Sequence, residues 1–441
     1  MTGPSNSDWT EANQRYLTAS LAIVRSSLER HSQPGEQDDG EKERMLQERL
    51  SEALDSLPGP SALDSLCKSF GLSSFERDIL LICAGMELDS SFAALCSLAQ
   101  GRPERPYPTF GMTLAAIPGA HWSALAPASP LRHWRLIELG SEDGLTNSRL
   151  RIDERVLHQL TGIQYIDERL AGIIRPIGLE ADLVPSHRSV AERLARAWSR
   201  AVGRSALPAI QLCGESSGTR RAIAMHACNL LGLNLSYMAS RAIPLAANEL
   251  DALTRLWERE AAMSSSALLV ECDDLDKSDA AGSRNISQMI EDAGYPLIIS
   301  SSIRQQNSGR TVINLDIKRP TSAEQRTIWN QSLESAGFSP DGQAEALVSQ
   351  FDFSSQAIQN ICAEALGPLR SSPDTAGFDQ DIMTALWERC RCESRPRLDD
   401  LAGHIEPAAD WRDLMLPEPQ TQTLRNIAVH VRNRSRVYET M

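Results

Sequence analysis

The sequence lacks any apolar run that approaches the roughly 20 residues needed to cross a bilayer as a helix. No secretory leader is expected either, because the first stretch is polar and carries Asp8 and Glu11. It also lacks an excess of positive charge, since 44 Lys and Arg stand against 58 Asp and Glu, a formal net charge of −14. That balance argues against general attraction to nucleic acid or anionic membranes. These absences predict a cytoplasmic protein with no membrane partner.

The nine cysteines show no metal-binding pattern. Cys390 and Cys392 are close in sequence but lack a second pair, or a His, at metal-ligand spacing, so neither a metal nor a redox role is expected. Most of the others lie in apolar runs, as buried thiols do in a reducing cytosol. These are Cys67, Cys83, Cys96, Cys213, Cys228, Cys272 and Cys362.

Residues 1–177 are predicted to form a mainly helical N-terminal domain that is winged-helix-like in part, because several short helical patterns precede a strand pair near 134–152. A winged helix that reads DNA needs a helix with several outward Lys or Arg side chains. The candidate helix at 73–86 offers only Arg77, between two acidic residues, and its apolar residues are typical of a core. The pattern therefore favours protein docking over DNA binding.

Residues 178–320 alternate apolar strands with helical patterns, as an α/β domain requires. The five strands predict a parallel sheet of the P-loop type, with ligands expected beyond the carboxyl ends of the strands. They lie at 207–213, 233–238, 267–272, 296–301 and 311–316. Residues 321–395 carry four helical patterns, enough for a helical lid. Residues 396–441 are predicted to be a linker and the lead-in helix of a further module.

The stretch between the first strand and the next helix, expected to begin near Ala222, has the position of a phosphate-binding loop. Such a loop reads G-x-x-x-x-G-K-[ST]: backbone N–H groups surround the phosphates, the Lys reaches the β- and γ-phosphates, and the hydroxyl binds Mg²⁺. With Gly214 at the first glycine, Thr219, Arg220 and Arg221 stand at the second glycine, the lysine and the hydroxyl. The candidate nucleotide-binding residues are Gly214, Glu215, Ser216, Ser217, Gly218, Thr219, Arg220 and Arg221.

The three replacements weaken the chemistry of this loop. The guanidinium of Arg220 is bulky and planar where a compact ammonium fits. Arg221 places a cation where a metal-binding hydroxyl belongs, and Thr219 adds a side chain where the backbone must approach phosphate. The helix N-terminus still offers its dipole and free N–H groups. Binding of ATP or ADP therefore stays open, beside the alternative of a purely structural remnant.

Acidic residues at the end of the third strand are candidates for magnesium binding and catalysis. In a nucleotide hydrolase of this type an Asp there supports Mg²⁺ and a Glu orients the attacking water. One register puts Glu271 at the Asp position and Cys272 at the Glu position, where a thiol cannot orient water as a carboxylate does. A two-residue shift puts Asp273 and Asp274 there as catalytic candidates, with Glu271 and Asp273 as magnesium ligands. Polar residues that merely end a buried strand are the alternative.

Two further positions depart from a working hydrolase. Ser300, Ser301 and Ser302 stand where the next strand usually ends in Asn. No arginine near 354–356 corresponds to the one that commonly reaches phosphate from the lid. Together with the loop, these departures argue against turnover.

Four runs carry a resemblance to one ATPase family: FGLSSFERDILL at 70–81, PLRHWRL at 130–136, LRIDERVL at 150–157 and LWEREAA at 256–262. With the α/β pattern and the lid, the chain resembles AAA+ ATPases, in particular the ATPase of extracellular contractile injection systems. These phage-tail-like devices include the antifeeding prophage and the Photorhabdus virulence cassettes. The resemblance implies two AAA+ modules in tandem, the first degenerate, and the sequence ends at Met441 before a second phosphate-binding loop. It also implies a hexamer with nucleotide between subunits, and partners among injection-system components.

Three hypotheses of function remain. The first is an AAA+-like regulatory and docking region of a contractile injection system, with a degenerate nucleotide site and little or no hydrolysis. The second is an active ATPase or remodelling enzyme that works through the loop at 214–221. The third is a winged-helix regulator that binds nucleic acid. Arg284 and Arg304 are candidates for an arginine that acts on a neighbouring subunit, and the sequence favours neither.

Overall fold

The computed structural model describes residues 6–33, 39–141, 144–178, 182–201, 207–214, 216–274, 280–304, 310–338, 342–367, 378–394 and 410–432. The chain divides into two compact units. The first unit comprises Met1–Ile177, Gly232–Leu268 and Asp274–Leu297. The second unit comprises Gly178–Leu231, Leu269–Asp273 and Ile298–Met441.

The described part of the chain up to residue 178 is mainly helical, as predicted. Its helices are α1 (Asn6–Ser32), α2 (Asp39–Asp55), α3 (Ala62–Phe70), α4 (Ser74–Leu88), α5 (Ser91–Gln100), α6 (Phe110–Ala116), α7 (Pro130–His133) and α8 (Glu154–Leu160). Its strands are β1 (Ile137–Leu139), β2 (Leu150–Ile152) and β3 (Ile174–Pro176).

Beyond residue 178, strands and helices alternate until helices alone remain. The strands are β4 (Ala209–Cys213), β5 (Asn234–Ala239), β6 (Ser266–Glu271), β7 (Leu297–Ser301) and β8 (Val312–Asp316). The helices are α9 (Pro185–Ser199), α10 (Ser217–Leu230), α11 (Ala247–Ser264), α12 (Ala280–Asp292), α13 (Ser322–Ser335), α14 (Gln343–Gln350), α15 (Ser355–Leu366), α16 (Phe378–Ser394) and α17 (Glu418–Arg432).

Helix α4 belongs to the hydrophobic core of the first unit. A capping box starts it, in which the Ser73 hydroxyl accepts from the Glu76 N–H at 3.2 Å and the Glu76 carboxylate accepts from the Ser73 N–H at 3.0 Å. Phe75 and residues 79–84 are buried, and the guanidinium of Arg77 pairs with Asp78 at 2.8 Å. The helix is a core element, as its composition predicted, and it presents no row of basic side chains.

The stretch after α8 differs from the sequence prediction. The pattern near 167–174 predicts a helix, but the structure has a short 3₁₀ turn followed by β3. Asp167 caps the turn by accepting from the Arg169 N–H at 2.9 Å, and Gly172 then adopts a φ of +84°, which ends helical geometry. The chain after Gly172 forms β3, which pairs with β5 in antiparallel orientation and places Ile174 opposite Met238.

The five predicted strands of the α/β region are all present. In the first unit, the order of hydrogen-bonded strands is β3, β5 and the start of β6. In the second unit, the order is the end of β6, then β7, β4 and β8. Strand β4 pairs in parallel with both β7 and β8, so that Cys213 lies opposite Ser301 on one side and Asp316 on the other. Their carboxyl ends meet at one edge, where the loop after β4 begins. Strand β3 is an additional, antiparallel strand.

The four helical patterns predicted for the lid are present as α13 to α16. Thr321 caps α13 and Ser354 caps α15 by accepting hydrogen bonds from backbone N–H groups in the first turns. The four helices share one apolar core, which includes Ile328, Trp329, Leu333, Leu347, Ile358, Ile361, Ile382 and Leu386. The lid therefore has its own core.

Helix α17 lies in the predicted lead-in segment, and its apolar residues Ile427, Val429 and Val431 are exposed. Residues 396–409 and 433–441 of the predicted linker and lead-in segment lie outside the described residues. None of the helices in the described ranges is both long and apolar enough to cross a membrane.

Candidate functional site

The loop after β4 begins with a glycine that its surroundings require. Gly214 adopts a φ of +90°, and a Cβ built there would lie 2.6 Å from the carbonyl oxygen of Ile317. The Ile317 N–H in turn donates to the Cys213 carbonyl at 2.8 Å, which holds the two segments together. Glu215, a predicted binding residue, lies outside the described residues.

Helix α10 begins earlier than the sequence suggests. The pattern predicts a helix from about Ala222, but α10 starts at Ser217, so the second half of the predicted loop forms its first turns. The physical reason is the cap: the Ser216 hydroxyl accepts from the Thr219 N–H at 3.3 Å, and the Ser216 carbonyl accepts from the Arg220 N–H at 3.1 Å. The N–H groups of Thr219 and Arg220, which would surround a phosphate in a working loop, therefore donate to Ser216 instead.

Arg220 points into the protein, and it is fully buried. Its Nε donates to the Ser300 hydroxyl at 2.7 Å and its Nη1 donates to the Gly214 carbonyl at 2.6 Å. Its Nη2 forms an ion pair with the carboxylate of Asp273. One guanidinium thus contacts the loop, the end of β7 and the residues that follow β6.

The second loop arginine engages the other carboxylate at this strand end. Nη2 of Arg221 lies 2.5 Å from Oε2 of Glu271. The other carboxylate oxygen of Asp273, Oδ1, accepts from the Ser302 N–H at 2.6 Å. The structure therefore brings Glu271, Asp273 and the predicted serines to the loop, as parallel strand ends require.

Asp274, the other predicted catalytic residue, and the neighbouring cysteines are placed differently. Asp274 pairs with Arg241 at 3.7 Å, and both side chains are largely exposed. Cys272 is buried, with its backbone N–H bonded to the Ser300 carbonyl at 2.8 Å. At the end of β4, burial raises the pKa of the Cys213 thiol above its ordinary value, so the group stays protonated at neutral pH.

A magnesium–nucleotide complex does not fit this arrangement. Each carboxylate proposed as a magnesium ligand, Glu271 and Asp273, is already bound to a guanidinium. The cation that would reach a phosphate, Arg220, is directed toward strand ends and is buried. A metal entering here would face two fixed positive charges and would have to break both ion pairs.

A separate cavity of about 980 Å³ lies in the second unit, between the segment before α9 and helices α13 and α15. Its lining includes Leu183, Ile328 and Ser355 but no residue of the loop. Burial alone would raise the pKa of Glu324 at its wall, but hydrogen bonds from the backbone of Ser186 and Thr321 hold that pKa below its ordinary value. No sequence signal pointed to this cavity, because its walls come from three distant segments.

The first unit contains a second set of buried charges that the sequence did not reveal. The Arg155 guanidinium donates to both carboxylate oxygens of Glu260, and the Arg259 guanidinium pairs with Asp153 and Asp167. All five side chains are almost fully buried. Four of the five stand in the runs at 150–157 and 256–262. The presence of opposite charges in these two runs was the sequence feature that could have indicated the ion pairs.

Two family models match the sequence. Residues 10–174 match the model described as winged helix domain, variant, and residues 321–396 match the model described as contractile injection system ATPase helical domain. With the α/β sheet of the intervening region, these matches confirm the predicted fold class. The chain therefore has an N-terminal part that matches a winged-helix model, then an α/β sheet, then a helical lid that matches a contractile injection system ATPase model. The relation to contractile injection system ATPases is also supported.

Several solved structures are similar at low identity. The AAA domain of FIGL-1 in complex with ADP is 14% identical over 60% of this chain and 96% of its own, with a TM-score of 0.35. Rhizobiales Trip13 is 19% identical over 46% of this chain and 88% of its own, with a TM-score of 0.30. A katanin structure that concerns self-assembly is 16% identical over 52% and 97%, with a TM-score of 0.37. Among curated proteins, no match was found.

Proposed function

We propose that this chain is a regulatory and docking region of an AAA+ protein that serves a contractile injection system, with a nucleotide site that performs little or no hydrolysis. The ion pair between Arg220 and Asp273 carries the proposal. In this pair, Arg220 at the lysine position and Asp273 after β6 neutralise each other, so neither is available to bind a nucleotide or Mg²⁺. The matched winged-helix and lid segments support the family context, and the resemblance to the antifeeding-prophage type belongs to the proposal.

The rival function, an active ATPase, would need groups that this site lacks in usable form. Water activation would require a free carboxylate, but Glu271 and Asp273 are bound to arginines and Cys272 is buried. The nucleic-acid hypothesis would require an outward basic helix, and α4 is a core helix. Among the residues that the structure describes, no specific contact supports either rival.

The proposal includes an assembly that the resemblance implies. In it, the four segments 1–177, 178–320, 321–395 and 396–441 act as N-terminal domain, α/β subdomain, lid and lead-in to a further module. The assembly is a hexamer, and its partners are other copies of the chain or structural components of the injection system. Light scattering on the purified chain at several concentrations tests self-association, and a single monomer mass throughout contradicts it.

Phosphate release from ATP with Mg²⁺ tests the catalytic part. The wild-type chain is expected to release phosphate no faster than a buffer blank, because Glu271 and Asp273, the carboxylates described beside the loop, are each paired with an arginine. Arg220→Ala serves as the matched variant and is expected to be equally silent. Turnover by the wild type that disappears in Arg220→Ala contradicts the proposal, since it shows the loop at work.

A further inference from the structure

We infer that Arg220 takes the structural place of a bound ligand, so that the second unit holds its strand ends together without a nucleotide. This inference deepens the proposed function and rests on it, because it explains what the loop does when it does not hydrolyse ATP. We call the group the Arg220 latch, meaning Arg220 with its three partners Gly214, Asp273 and Ser300.

The partners of the latch are far apart in sequence but meet at one guanidinium. Asp273 is 53 residues from Arg220, and Ser300 is 80 residues from it. Ser300 lies near the end of β7, Asp273 follows β6 by two residues, and Gly214 follows β4 directly. Three strand ends are therefore joined through one side chain, which is the connection that a phosphate and its metal make in a working site of this kind.

The interactions of the latch are complementary in geometry and charge. The guanidinium presents its donors in a fixed planar fork, and carbonyl, hydroxyl and carboxylate acceptors lie around it. Asp273 extends the set, because its second oxygen accepts from the Ser302 N–H at 2.6 Å. Arg221 and Glu271 add a parallel ion pair between α10 and the end of β6.

Burial makes the latch consequential for stability. Arg220 is fully buried, whereas the exposed pair of Arg304 and Asp316 lies on the same sheet edge with more than half of each side chain accessible. Loss of one partner from a buried pair leaves an uncompensated charge, whereas an exposed pair contributes little. Removing Arg220 should therefore loosen the strand ends, and removing Arg304 should not.

The test uses the full-length chain without nucleotide and compares the wild type with Arg220→Met and Arg304→Met. Arg220→Met is expected to lower the Tm by at least about 6 °C. It is also expected to speed hydrogen exchange in peptides covering 209–214 and 297–302. Arg304→Met, the matched control, is expected to change both by little. Equal behaviour of the two variants overturns the latch.

A gentler variant covers the case in which Arg220→Met does not fold. Asp273→Asn keeps an acceptor for the Ser302 N–H but removes the charge opposite Arg220. It is expected to lower the Tm less than Arg220→Met and to speed exchange in the same peptides. Unchanged Tm and exchange in Asp273→Asn also overturn the latch.

Failure of the latch and failure of the proposed function are separable. ATP turnover by the wild type overturns the proposed function whatever the variants do to stability. If Arg220→Met is as stable as the wild type, the latch is overturned, whether or not the chain hydrolyses ATP. Added MgATP is expected to change the Tm of the wild type by less than about 1 °C. Arg220 already occupies the site, so the nucleotide should not bind there and should not stabilise the folded chain.

Discussion

The guanidinium of Arg155 on α8 donates two hydrogen bonds to the carboxylate of Glu260 on α11, at 3.0 and 2.8 Å, and both side chains are buried. This fork geometry is the strongest form of an arginine–carboxylate pair. The Arg155 guanidinium also lies 5.1 Å from the ring centre of Tyr165, a cation–π distance. Within the first unit, α8 is thus held to α11 by residues from the runs at 150–157 and 256–262.

Glu260→Ala is expected to reduce the free energy of unfolding by about 3–5 kcal/mol, because it leaves Arg155 buried without its counter-charge. Asp251→Asn is the matched control on the same helix, where an exposed pair with Arg255 should contribute less than about 1 kcal/mol. Urea unfolding followed by circular dichroism measures both. Equal losses in the free energy of unfolding for the two variants would show that the buried pair stabilises the protein no more than the exposed pair does.

The acid stability of the first unit should depend on Asp167. Burial alone would raise its pKa, but hydrogen bonds from Arg169 and the charge of Arg259 hold the pKa below its ordinary value. A carboxyl whose folded pKa is lowered stabilises the protein above its unfolded pKa, and that contribution is lost as pH falls toward the folded pKa. Asp167→Asn should therefore cost more stability at pH 7 than at pH 3. A difference in urea midpoint that is the same at both pH values contradicts this assignment.

The secondary structure was largely predictable because its signals are local. Helical patterns located α13 to α16, and the apolar runs that alternate with helical patterns located β4 to β8. Strand β3 was missed because three residues are too short to show a period, and the end of the preceding turn depends on the φ of Gly172. The start of α10 differs from the prediction because Ser216, which lies within the predicted binding loop, caps the helix.

The candidate site was predictable in position but not in contacts. Strand order alone places Asp273 and Ser300 near the loop, since parallel strands end at one edge. The direction of the Arg220 side chain depends on which acceptors lie within its reach, and these are 53 and 80 residues away in sequence. No local pattern carries that information.

Two glycines of the loop should respond in opposite ways to alanine. Gly214→Ala should lower the free energy of unfolding by at least about 1–3 kcal/mol, because φ is +90° and the new Cβ would meet the Ile317 carbonyl. Gly218→Ala is the matched control: no atom lies within 4 Å of its Cβ position, and alanine favours the first turn of α10. Thermal unfolding compares the two. Greater loss in Gly218→Ala would contradict the described loop.

Glu324 should stabilise the lid through its hydrogen bonds. Its carboxylate accepts from the Ser186 N–H at 2.7 Å and from the Thr321 N–H at 2.9 Å. Glu324→Ala is expected to cost about 1–2 kcal/mol in the free energy of unfolding, because two backbone donors lose their acceptor. Glu334→Ala, at an exposed position of the same helix, is the control and should change little. Similar urea midpoints for the two variants would argue against this role.

The most direct measurement of the central claim is steady-state phosphate release from MgATP by the purified full-length chain, with Arg220→Ala measured in parallel. Because Arg220 is bound to Asp273 and Arg221 to Glu271, the account predicts rates equal to the buffer blank for both proteins. Release by the wild type that rises with protein concentration and is lost in Arg220→Ala would contradict it.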